Sequence, residues 1–124
     1  MAVQTWDIEI PENWFFMYHV VTQAEWEVHI KLTGANDKVY FDEKRSKSHI
    51  EPPLATGFAW STKDMKLTVE VPGSKIIRGT PHVEFHYNDD QKKVGWQWIY
   101  SMEAGEDQDY NDASVVIVGW KSKG

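Results

Sequence analysis

Trp26-Glu27-Val28-His29-Ile30-Lys31-Leu32 is the stretch that decides the fold class. Its apolar residues fall at alternate positions, with Glu27, His29 and Lys31 between them, and a period of two sends alternate side chains to opposite faces of a strand. One face then rests on a core and the other meets solvent. Runs of the same kind recur at residues 5–10, 16–22, 38–41, 57–62, 65–71, 82–87, 94–101 and 114–120, and no stretch of helical period and length separates them. The breaks carry turn chemistry: Pro11-Glu12-Asn13, Gly34-Ala35-Asn36-Asp37, Pro52-Pro53, Pro72-Gly73-Ser74, Gly79-Thr80-Pro81 and Asn88-Asp89-Asp90. The fold is therefore expected to be all-β, an antiparallel β-sandwich of about nine short strands, in a single domain over residues 1–124. The most polar segment, residues 42–50 with Glu43, Lys44, Arg45 and Lys47, reads as a solvated loop.

A chain of 124 residues can bury a core large enough to fold unaided. Seven Trp in an aromatic content of 14% must fill that core, an interface or a ligand site. A formal charge of −6 argues against nucleic acid or an anionic membrane as partner, since each needs a basic face. With no Cys, thiolate metal sites, disulfides and thiol catalysis are excluded. No signal peptide is visible at Met1-Ala2-Val3-Gln4-Thr5, and the apolar stretches are too short to span a bilayer. The expectation is a soluble protein without membrane insertion, its compartment unknown: cytoplasmic, or exported without a cleavable leader.

The informative segment is Glu103-Ala104-Gly105-Glu106-Asp107-Gln108-Asp109-Tyr110-Asn111-Asp112, which holds five carboxylates and no basic residue. Asp107, Asp109 and Asn111 alternate as oxygen donors, a pattern suited to a hard cation such as calcium. An EF-hand would need Gly at the sixth position and Glu at the twelfth, and counting from Asp107 these are Asp112 and Val118. Four negative charges on Glu103, Asp107, Asp109 and Asp112 are twice what one divalent ion neutralises, which suggests two calcium ions sharing carboxylates. Such a loop cannot fill two shells of about six to eight oxygens, so positions are left for water or for a ligand's hydroxyls.

The loop resembles the hallmark of the calcium-dependent fucose/mannose-binding lectins of bacteria (LecB-like), Glu-Asp-Gly-x-Asp-x-Asp-Tyr-Asn-Asp before the last strand. Glu103, Gly105, Asp107, Asp109, Tyr110, Asn111, Asp112 and Ala113 match it in place. Ile8-Glu9-Ile10-Pro11-Glu12-Asn13 and Lys66-Leu67-Thr68-Val69-Glu70-Val71 extend the likeness. The resemblance implies a dimerising sandwich with two calcium ions that chelate sugar hydroxyls. Glu103 and Asp107 would ligate one ion, Asn111 the other, and Asp109 and Asp112 would bridge both. Gln23 falls where the family's Asn carbonyl ligates calcium, and Ala24-Glu25-Trp26 falls on its specificity loop. Gly105 lies at the sugar, Ala104 replaces an Asp that bonds it, and the Gly124 carboxylate would reach a partner's site from a tail, Trp120-Lys121-Ser122-Lys123-Gly124, that departs from the family's ending.

The function expected is a carbohydrate-binding lectin without catalysis, whose partners are mannose- or fucose-containing glycans, with a homodimer possible. The alternatives are a calcium-stabilised structural or adhesion module without a sugar site, and a glycosidase using two of the carboxylates. Two other constellations have ordinary readings. His82, Glu84 and His86 share a strand face as a zinc site would require, but read as the polar face of a strand backed by Val83, Phe85 and Tyr87. Val94, Trp96, Trp98 and Tyr100 form a stripe that reads as core rather than a stacking platform, and Trp26 is the better candidate for stacking on a sugar.

Overall fold

The computed structural model describes residues 1–105 and 110–124. Nine strands follow in order: β1 (Ala2–Ile8), β2 (Phe15–Thr22), β3 (Val28–Thr33), β4 (Val39–Arg45), β5 (Ala55–Trp60), β6 (Met65–Val71), β7 (His82–Tyr87), β8 (Lys93–Met102) and β9 (Ala113–Trp120). They form two antiparallel sheets, one ordered β1-β6-β3-β4 and the other β5-β2-β9-β8-β7. The only helical turn among the described residues is the short segment Ala35–Asp37. Among the described residues no helix is long and apolar enough to cross a membrane.

The alternation that opened the reading sets the packing. Val28, Ile30 and Leu32 are wholly buried, as are Leu67, Val69 and Val71 of the neighbouring β6, while His29 and Lys31 stand on the opposite face. From the other sheet Phe16, Val20, Val115, Ile117, Trp96, Trp98 and Tyr100 meet them in one cluster. The tryptophan stripe of β8 is thus core, as its alternation suggested. Burial pushes the Tyr100 hydroxyl's pKa up from its ordinary value.

Two expectations need correction. Residues 42–45 are not loop: they continue β4, pairing His29 with Lys44 and Ile30 with Glu43. Because β4 closes one edge of its sheet, its backbone is paired on one side only and its charged side chains point largely to solvent, so the amphipathic signature fades. In β7 the face of Val83, Phe85 and Tyr87 does follow the register of Trp98 and Trp96, yet Val83 and Tyr87 are more than half exposed. That strand is also an edge, and of the three only Phe85 packs against the core.

The two outer faces differ. On the four-stranded sheet His29 sits between Asp42, which its Nε2 contacts, and Glu70, 3.5 Å from its Nδ1. The contact with His29 holds the Asp42 carboxyl below its ordinary pKa. On the five-stranded sheet the register places Trp60, Phe15 and Trp120 in one cross-strand row and Phe58, Met17 and Val118 in the next. Phe15 lies 5.4 Å from Trp60, 5.6 Å from Phe58 and 6.5 Å from Trp120 between ring centres. Phe58 is 70% exposed and Trp60 49%, so this is a continuous apolar surface rather than scattered side chains.

Core and face should respond differently to truncation. Trp96→Ala is expected to cost about 3–5 kcal/mol in urea unfolding, while Phe58→Ser should change the monomer's stability by less than about 0.5 kcal/mol. Equal losses would contradict the assignment of the two faces.

Candidate functional site

The acidic segment joins β8 to β9 at the end of the ladder, where Met102 pairs with Ala113. Its two ends are tied by the side chains they carry. The Ala104 N–H donates to Asp112 Oδ2 at 2.8 Å, the Asp112 N–H donates to the Met102 carbonyl at 3.1 Å, and the Tyr110 N–H donates to Glu103 Oε1 at 3.0 Å. Glu103 is fully buried and Asp112 is 5% exposed. Buried carboxylates persist only where donors or cations compensate them, and these backbone donors supply part of that compensation. The turn geometry is demanding: Gly105 has φ of +133°, open to glycine, and Tyr110 has φ of +54°, which a bulky residue adopts only at a cost.

A second segment is drawn to the same place. Thr22 pairs with Ala113, and the next residue, Gln23, donates its N–H to the Asp112 carbonyl at 3.1 Å. The Ser48 N–H donates to the Ala24 carbonyl at 2.9 Å, and the Ser48 hydroxyl accepts from the Ala24 N–H at 3.2 Å. The Lys47 N–H reaches the Glu25 carbonyl at 3.4 Å. Glu25 and Trp26 are exposed, and Trp26 lies beside Gly105: a Cβ added there would stand 3.2 Å from the indole Cζ2. Gln23, Ala24, Glu25, Trp26, Glu103, Gly105, Asn111 and Asp112 therefore assemble at one end of the sandwich. Asp107 and Asp109 lie outside the described residues.

Gly124 is not among them. Trp120 is seven strand steps from Ala113, roughly 23 Å at 3.3 Å per residue, and Lys123 and Gly124 border Phe15 at that far end. Four tail residues extend at most about 14 Å. The terminal carboxylate cannot meet its own chain's loop.

Arg78 was not foreseen. Its backbone forms an isolated bridge with Glu103, N–H to carbonyl in both directions at 2.8 and 3.0 Å, and its guanidinium donates to the Gly105 carbonyl. The loop carries no cation of its own, but one reaches it from a segment distant in sequence. Ala104 is 1% exposed and belongs to the core, so no side chain projects to solvent from that position. His82, Glu84 and His86 lie exposed on the β7 edge, and among the described residues no three His, Asp or Glu side chains cluster as a metal site.

What Glu103, Asn111 and Asp112 bring together is an oxygen-only donor set, which fits a hard divalent cation better than zinc or copper. Residues 8–122 match the family described as fucose-binding lectin II (PA-IIL). Three solved structures share the fold. The Chromobacterium violaceum lectin CV2L, in complex with alpha-methyl-fucoside, is 16% identical with a TM-score of 0.63, over 92% of this chain and 94% of its own. The Ralstonia solanacearum high-affinity mannose-binding lectin is 19% identical with a TM-score of 0.64, over 92% and 94%. The C-terminal domain of the BC2L-C lectin from Burkholderia cenocepacia is 20% identical with a TM-score of 0.63, over 96% of each chain. No curated protein sequence matches the chain.

If the Ala104–Asp112 hydrogen bond clamps the loop, Asp112→Ala should destabilise the protein by about 1–3 kcal/mol even in chelator, because a buried N–H loses its acceptor. Asp112→Asn, which keeps an acceptor oxygen, should lose less. Equal stability of all three proteins in chelator, measured by thermal melting, would remove the clamp.

Proposed function

The chain belongs to the fucose-binding lectin II (PA-IIL) family, and from that membership we propose that it is a carbohydrate-binding lectin without catalysis, which holds a mannose- or fucose-type sugar through two calcium ions. The observation that carries the reading is the convergence of Gln23, Glu103, Asn111 and Asp112 at one end of the sandwich, pinned by backbone hydrogen bonds from three elements. Glu103 and Asp107 would hold one ion, Asn111 and the Gln23 position the other, with Asp109 and Asp112 shared. When bound, calcium supplies a hard cation with coordination positions left for neutral hydroxyl oxygens. The chain's own part is to fix the carboxylates in advance and to accept charge-assisted hydrogen bonds from the sugar.

Ala104 offers no acceptor, which should weaken monosaccharide binding by about 1.5–3 kcal/mol relative to a site with a carboxylate there. Glu25, exposed on the adjoining loop, or Glu106 would substitute for that acceptor in part.

The apolar face of the five-stranded sheet gives the reading its quaternary form. Packed two-fold on a copy of itself it would form an isologous interface, in which the cluster of Phe15, Phe58, Trp60 and Trp120 of each chain would face the same cluster of the other. Gly124 lies at the end of that face away from the loop, so an antiparallel pairing carries each tail toward the partner's acidic segment.

Three outcomes test this. Mannose or fucose should bind in millimolar calcium and be lost in chelator, and calcium at a hundred times its Kd should stabilise the fold by about 2.7 kcal/mol. Calcium binding with no response to any mannose- or fucose-bearing glycan would favour a structural module instead. Asp109→Ala should abolish most calcium uptake in a titration. Finally, Phe58→Glu with Trp60→Glu should give a monomer in sedimentation, and an unchanged dimer would move the interface elsewhere.

A further inference from the structure

Beside the acidic segment, on the side of Trp26, runs a groove of about 560 Å³ lined by Trp26, Gly73, Ser74, Lys75, Ile76 and Gly105. Its volume falls within the roughly 300–1,000 Å³ of small-molecule sites. We propose that this groove is a second sugar subsite, which takes the pyranose ring linked to the sugar held at residues 103–112. The inference rests on the lectin reading and extends it from a monosaccharide to an oligosaccharide ligand.

The inference is carried by continuity, lining, shape and rigidity. The groove is continuous with the candidate site, because Gly105 belongs to both. Its walls suit an amphipathic ring: the exposed indole of Trp26 on one side and the half-exposed Ile76 on the other offer apolar surface to the ring's C–H faces. The exposed Lys75 supplies ammonium donors for hydroxyls at the rim.

Two further observations concern shape and rigidity. Two glycines make room for the indole: a Cβ on Gly73 would stand 3.1 Å from Trp26 Cε3, and one on Gly105 would stand 3.2 Å from Cζ2. Both walls are fixed before any ligand arrives. The buried Ser74 hydroxyl donates to the Ile76 carbonyl at 2.9 Å and accepts from its N–H at 3.3 Å, and the Ser74 N–H is held by Val71. Ala24 and Glu25, just before Trp26, are held by Ser48 and Lys47. A preformed groove spends little binding energy on ordering itself.

The test is calorimetric titration of the full chain in millimolar calcium with methyl α-mannoside and with a panel of α-linked mannobioses. At least one disaccharide should bind about ten-fold more tightly than the monosaccharide. Ile76→Ala and Trp26→Ala should each bring that ratio toward one, and Trp26→Phe should retain most of it. Circular dichroism melts in chelator report whether each variant is folded. A ratio near one in the parent chain, or a ratio that survives both truncations, overturns the subsite while leaving the lectin reading intact. Failure of the parent to bind these sugars and methyl α-fucoside alike overturns both.

Discussion

The carboxylate of Asp112, accepting the Ala104 N–H at 2.8 Å, is the contact on which the site end of the molecule depends. Asp112 uses its three polar groups on three different elements: its side chain on Ala104, its N–H on the end of β8, and its carbonyl on Gln23 after β2. One residue thus sets the width of the β8–β9 connection and the distance between that connection and the β2–β3 loop. Closing a link of this length costs entropy, which these bonds help the β8–β9 ladder to offset. Glu103 and Arg78 repeat the device one strand away, through paired backbone bonds.

Around this fixed end the sandwich divides its labour between faces. The four-stranded sheet shows water a polar surface in which His29 is flanked by two carboxylates. The other sheet shows water clustered aromatic rings. A single core holds both, so the difference is not a matter of folding. It belongs to what each face meets outside the chain, and desolvating three or four large rings is the kind of driving force that association between copies requires.

Much of this was legible in the sequence because it is local. Strand β3 declared itself through Val28, Ile30 and Leu32, and the β8 stripe through Trp96, Trp98 and Tyr100. The acidic segment stood out by charge alone, and Gln23 to Trp26 were placed by resemblance to a family that the chain proves to share. What stayed hidden is non-local. Arg78 carries no mark of its pairing with Glu103, since an isolated bridge follows from the course of the chain and not from any pattern within five residues. Residues 42–45 were misread because Asp42, Glu43, Lys44 and Arg45 are all charged, so beyond Phe41 the strand sets no apolar side chain on the core to mark its period. The aromatic face was hidden differently: Phe58 and Trp60 lie at alternate positions, as core residues would, and only the partner sheet's position shows that they point away from it.

The open edges of the two sheets have a consequence for how the protein behaves when crowded. Every edge strand presents unpaired backbone groups to which another chain could add itself. Here β4 ends in Asp42-Glu43-Lys44-Arg45, four consecutive charges that an incoming strand would have to desolvate. The approach to β5 runs through Pro52 and Pro53, and Pro81 immediately precedes β7, so neither strand can be lengthened backwards by regular pairing. The charged and proline-flanked edges therefore oppose ribbon-like growth along β4, β5 and β7, and leave the broad aromatic face as the surface on which another body would find apolar area to cover.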